Sequence, residues 1–103
     1  MRAEGGKVLG KVTKILDPRK NTDFKKGDIL VTTMTTPDFV TFMKKAKAII
    51  TDEGGITCHA SVIAREFMIP CVIGTKIATD VLNNGDLIEV NANHGRIRIL
   101  KRK

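Results

Sequence analysis

Of the two histidines in the sequence, His59 has the surroundings that chemistry requires. It lies in Thr51-Asp-Glu-Gly-Gly-Ile-Thr-Cys-His-Ala-Ser-Val-Ile-Ala-Arg-Glu66, between a glycine pair and a run of good helix formers. Gly54 and Gly55 open backbone conformations closed to other residues, so a sharp turn is expected there. Thr57 is a fair N-cap, and Cys58 to Phe67 places Val62, Ile63 and Phe67 at spacings that bury one side of a helix. His59 then falls in the first helical turn. The unpaired amides and the positive end of the helix dipole disfavour a charged imidazolium there, which leaves a neutral, nucleophilic ring. The same amides, loosened by the glycines, can hold an anion beside the ring. That pairing suits a phosphoryl group moving onto and off His59. The competing reading of a histidine beside glycines is a loop or cap residue, with metal-ligand and general-base roles also open to it.

A strand must deliver this turn. Ala48-Ile-Ile-Thr51 is a short β-branched run that ends in Asp52 and Glu53. Upstream, Lys7 to Leu16 alternates apolar and polar residues in its second half and predicts a strand closed by Asp17 and Pro18. Gly27 and Asp28 then turn into a second strand, Ile29 to Thr32. Thr35-Thr36-Pro37-Asp38 opens a helix running to about Ala46, with Pro37 in its first turn and Asp38 favouring the dipole. Phe39, Phe42, Met43 and Ala46 recur at three and four, which assigns them to packing. Downstream, Ile69 to Gly74 reads as a short buried strand entered through Pro70. Lys76 to Leu82 reads as a short helix. Leu87 to Asn91 and Arg96 to Leu100 form a hairpin across Ala92-Asn-His-Gly95, so His94 belongs to a turn.

The run from Thr51 to Gly74 closely resembles the phosphohistidine signature of phosphoenolpyruvate-utilising enzymes, the family of phosphoenolpyruvate synthase, pyruvate phosphate dikinase and enzyme I of the sugar phosphotransferase system. Gly27-Asp-Ile-Leu-Val-Thr32, Thr36-Pro-Asp38, Lys44-Lys-Ala46 and Gly85-Asp86 resemble the same family's mobile domain, in its order. The resemblance implies an α/β domain of the swivelling β/β/α type, with mixed sheet layers and short helices. It also implies a transferase function in which a phosphorylated histidine shuttles between two active sites on other domains. One partner is a nucleotide-binding domain using ATP and Mg²⁺, and the other is a barrel domain that binds pyruvate or phosphoenolpyruvate. On this reading the domain itself binds no cofactor and no metal, and it is inactive alone. His59 takes the nucleophile's position, and Gly54 and Gly55 the turn that admits the phosphate. Thr57 stands where plant dikinases are phosphorylated for control, and here it is first of all a cap. Arg65 could reach phosphate or a partner, or form a salt link at the helix end. Two departures stand out: Met68 where relatives commonly carry glycine, which suggests a differently made turn with Met68 covering apolar surface, and Asn91-Ala92 where they commonly carry Asp-Gly.

The remaining properties bound the alternatives. A chain of 103 residues with 42% hydrophobic content fits one domain spanning 1–103. No apolar run approaches the roughly 20 residues of a membrane span, and no signal peptide is present, so a cytoplasmic location without membrane contact is expected. Cys58 and Cys71 are expected as free thiols, and no paired C-x-x-C spacing suggests zinc. The net charge of +7 comes from 18 Lys and Arg against 11 Asp and Glu. Lys101-Arg-Lys103 reads as a basic tail, and Lys44, Lys45 and Lys47 as the outer face of a helix. With 4% aromatic residues and no coherent basic stripe with aromatic interleaving, a nucleic-acid module is disfavoured. A docking or regulatory domain of the same fold that is never phosphorylated is the main alternative.

Overall fold

The computed structural model describes residues 7–20, 24–55 and 58–103. Six strands, β1 (Lys7–Lys14), β2 (Ile29–Thr32), β3 (Ala48–Thr51), β4 (Cys71–Val72), β5 (Leu87–Asn91) and β6 (Arg96–Lys101), form one sheet in the order β4-β3-β2-β1-β5-β6. The strands from β1 to β4 run parallel, and β5 and β6 are antiparallel to their neighbours. Among the described residues there are three α-helices: α1 (Val40–Lys45), α2 (His59–Glu66) and α3 (Ala78–Val81).

The apolar content of the central strands follows from their place between two cores. Ile29, Val31, Ala48 and Ile50 join Val12, Ile88, Val90 and Ala78 of α3 in one cluster. Leu30 and Ile49 face the other way, into a cluster with Met43 of α1 and Ala60 and Ala64 of α2. A parallel strand covered on both sides needs a continuous apolar run, and β2 and β3 are buried at every position. The helix expected from Pro37 begins as a 3₁₀ turn over Pro37–Phe39 before α1 takes over. Phe42 is half-buried, its ring edge-on to Phe24 at 5.8 Å. Strand β4 is shorter than expected, although Ile49 N–H also donates to Pro70 O at 2.9 Å.

The turn after α2 corrects the expectation drawn from Met68. Met68 adopts φ +58°, the left-handed conformation that glycine takes most easily. Its N–H donates to Arg65 O, and Ile69 N–H donates to Ala64 O at 2.8 Å. Those two bonds are the Schellman closure of a helix, so the turn is made in the glycine manner by a residue that is strained in it. Met68 is 62% exposed and covers little. Met68→Gly is therefore expected to raise stability by about 1 kcal/mol, seen as a higher urea midpoint, and Met68→Ala to give no such gain.

The C-terminal basic residues, expected as a tail, are exposed but tied down. Lys101 closes β6, Arg102 Nη1 donates to Val81 O and to Asp86 Oδ2, and Lys103 N–H donates to Asp86 Oδ1. The Asp86 side chain is only 2% exposed and also accepts from Asn83 N–H at 3.0 Å. That backbone bond, with those from Lys103 and Arg102, holds its carboxyl below the ordinary carboxylate value despite burial. A carboxyl depressed in the folded state contributes stability that is present above the unfolded value and is lost as pH falls through the folded one. Denaturant midpoints measured downward from neutral pH should fall below about pH 4, and Asp86→Asn should flatten that fall.

Candidate functional site

The site forms where β2 and β3 end side by side, because adjacent parallel strands bring their carboxyl-end loops together. Pairing continues past the strands: Asp52 N–H donates to Thr32 O and Glu53 N–H to Thr33 O. Thr51 Oγ1 bonds Glu53 O at 2.6 Å, and the Asp52 carboxylate accepts from Thr79 N–H at 2.9 Å. These bonds fix the chain just before the glycine pair. Gly54 has φ +133°, and a Cβ built there would stand 2.9 Å from Cys58 Sγ. The position therefore excludes side chains on both counts. Gly55 O accepts from Cys58 N–H at 3.0 Å and closes the turn.

Thr57 lies outside the described residues, as does Ile56. The cap itself falls one residue later than expected. Cys58 is extended at φ −70°, ψ 163°, its Sγ accepts from Ser61 N–H at 3.5 Å, and the helix starts at His59. Cys71 and Cys58 both pack against the core cluster beneath α1 and α2, and burial, reinforced by the Cys58 thiol, pushes the Cys71 thiol up to about 12. Both cysteines are free, and Cys71 is unsuited to nucleophilic work.

His59 is half-buried, and its Nδ1 lies 2.8 Å from Thr35 Oγ1. Thr35 is itself buried, at 5% exposure, in the loop after β2. When Nδ1 carries the ring proton and donates it to Thr35, the lone pair belongs to Nε2, and the ring cannot swing freely. A cleft of about 300 Å³ opens at this point, lined by Met34, Thr35, Glu53, Gly54, Cys58, His59 and Ala60. Its volume accommodates a phosphoryl group and part of a donor.

Of the residues singled out from sequence, the fold brings His59 and Gly54 into one cleft. Arg65 lies elsewhere on α2, exposed, with Nη2 donating to Ser61 Oγ at 3.2 Å one turn back. His94 sits in the β5–β6 turn, its N–H on Asn91 Oδ1 at 3.3 Å. Thr35 was missed, because Thr35-Thr36-Pro37 reads as a helix opening. The signal available was a pair of consecutive strands, each ending in threonine and each followed by a polar loop, which parallel pairing sets side by side.

Fold and site together describe a mixed α/β domain that presents a histidine from the head of a short helix. Residues 24–95 match the model of the family described as PEP-utilising enzyme, mobile domain. The chain is 50% identical over 93 residues to a probable phosphoenolpyruvate synthase of Archaeoglobus fulgidus, covering 90% of this chain and 12% of that protein. It is 46% identical over 100 residues to an uncharacterized phosphotransferase of Bacillus subtilis, covering 97% of this chain and 12% of the relative. Among solved structures, the solution structure of an Enzyme I protein aligns with a TM-score of 0.65 at 28% identity, over 79% of this chain and 34% of that one. Aconitase X of Thermococcus kodakaraensis aligns at 0.68 and 26% identity, over 94% and 92%. The chain belongs to the mobile-domain family of phosphoenolpyruvate-utilising enzymes. It spans about an eighth of the length of these curated relatives.

Proposed function

We propose that the chain is a phosphoryl carrier and that Nε2 of His59 is the atom that carries the group. The observation that bears most weight is the 2.8 Å contact between Thr35 Oγ1 and His59 Nδ1, which engages one ring nitrogen and leaves the other for chemistry. In the loading step the Nε2 lone pair forms a bond to phosphorus while the bond from phosphorus to the donor's leaving oxygen breaks, its electrons departing with that oxygen. Nδ1 keeps its proton and its bond to Thr35, which stabilises the charge the ring gains. In unloading, an acceptor oxygen attacks phosphorus and the Nε2–P electron pair returns to the ring. Gly54 and Gly55 keep the approach to the ring free of side chains.

The donor and acceptor sites belong to other domains. The names of the relatives point to phosphoenolpyruvate chemistry, and the family resemblance supports the partners proposed here: a nucleotide-binding domain working with ATP and Mg²⁺, and a barrel domain binding pyruvate or phosphoenolpyruvate. The carrier supplies the nucleophile, and the cations that stabilise the transferring group come from the partners, in the cytoplasm. Incubation with the nucleotide-binding domain of a phosphoenolpyruvate synthase and ATP labelled at the transferred phosphate should label the chain. The label should be lost in mild acid and kept in base, as a P–N bond requires, and His59→Ala should abolish it. Acid-stable label that survives His59→Ala would refute the assignment.

A further inference from the structure

On one side of the sheet half of the surface is bare: among the described residues α1 and α2 pack over β2, β3 and β4, while α3 lies on the opposite side, in the cluster that holds Val12, Ile88 and Val90. The outer face of β1, β5 and β6 is open. Register places Lys7, Leu9 and Lys11 of β1 opposite Asn91, Glu89 and Leu87 of β5, and those opposite Arg96, Arg98 and Lys101 of β6. Directly paired residues share a face, so side chains scattered over the sequence form one surface. It carries five cations against one carboxylate, Glu89, whose Oε1 stands 3.6 Å from Arg98 Nη1. Its apolar residues are Leu9, 48% exposed, and half-buried Leu87, with Leu100, 42% exposed, in the bulge of β6. A hollow of about 330 Å³ lies between Lys11, Leu87, Lys101 and Lys103.

We infer that this face docks an acidic protein surface that carries apolar side chains. Leucines set among cations match the anatomy of a protein interface, where a small apolar core is ringed by charge that steers the complementary partner. A nucleic acid would need stacking rings, and the four phenylalanines lie elsewhere: Phe24, Phe39 and Phe42 in or against the core beneath α1 and α2, and Phe67 after α2. Glu89 would also face a phosphate backbone near the middle of the surface. His59 is on the other half of the sheet, beyond β2, so a partner held here leaves its cleft open. The inference does not depend on the phosphoryl chemistry.

The ¹⁵N-labelled chain, titrated at about 50 mM salt with an amphipathic peptide of glutamate and leucine, should show amide shifts concentrated in β1, β5 and β6. Lys11→Glu with Arg98→Glu should weaken that binding about tenfold or more, and Leu9→Ala should also weaken it, whereas His59→Ala should leave it unchanged. Poly-L-glutamate, which lacks the apolar part, should bind at least about tenfold more weakly than the mixed peptide. Single-stranded RNA of mixed sequence, or vesicles containing phosphatidylserine, binding this face as tightly as the peptide would overturn the inference. Shifts centred on α2, or indifference to Leu9→Ala, would do the same.

Discussion

Replacing Thr35 with alanine is expected to slow loading of His59 by about ten- to a hundredfold, the equivalent of a hydrogen bond to a group that becomes charged, about 1.5–3 kcal/mol. The hydroxyl lies 2.8 Å from Nδ1 and is held in a buried side chain, so water cannot readily replace it. As the Nε2–P bond forms, positive charge spreads to Nδ1–H, and the bond to Thr35 strengthens. Alanine leaves that N–H without its partner and frees the ring to leave the orientation that the cleft requires. Thr35→Ser keeps the hydroxyl and should restore most of the rate, whereas Thr35→Val keeps the shape and should not. Single-turnover loading by a donor domain separates the three. Equal rates for the valine and wild-type chains would show that the contact is structural only.

A second large effect is expected at Gly54. At φ +133° an L-residue is strained by about 1–3 kcal/mol, and the added carbon would also stand 2.9 Å from Cys58 Sγ. Since Cys58 caps α2, relief of that clash moves the start of the helix and His59 with it. Gly54→Ala should therefore lower both the urea midpoint and the loading rate. Adding Cys58→Ala removes the clash but not the backbone strain, so the double variant should recover only part of the loss. Wild-type behaviour in Gly54→Ala would show that the turn adapts and that its geometry does not govern the site.

Local order could be read from the sequence because local rules decide it. Strands β2 and β3 are apolar up to their closing threonines since both faces are covered, and a helix with His59 in its first turn follows the glycine pair, although its cap falls on Cys58 and not on Thr57. What could not be read depends on distant contacts. Thr35 meets His59 across 24 residues, and only the parallel pairing of β2 with β3 brings them together. Met68 departs from the glycine habit in residue type yet keeps the glycine conformation, because the Ile69 to Ala64 bond and burial of Ile69 hold the turn. The C-terminal cations read as a tail since nothing local restrains them, and buried Asp86 is what does. The same limit hid the basic face: its cations alternate along strands far apart in sequence, and no stripe forms until β1, β5 and β6 pair.

The most direct test of the central claim is to observe the nitrogen that bears phosphorus. The chain with ¹⁵N-labelled histidine, loaded by a donor domain and kept in base, should show a ³¹P–¹⁵N coupling to Nε2 of His59 while Nδ1 retains its proton. Coupling to Nδ1, phosphorus on His94, or no P–N coupling in a chain that carries phosphate would contradict the account.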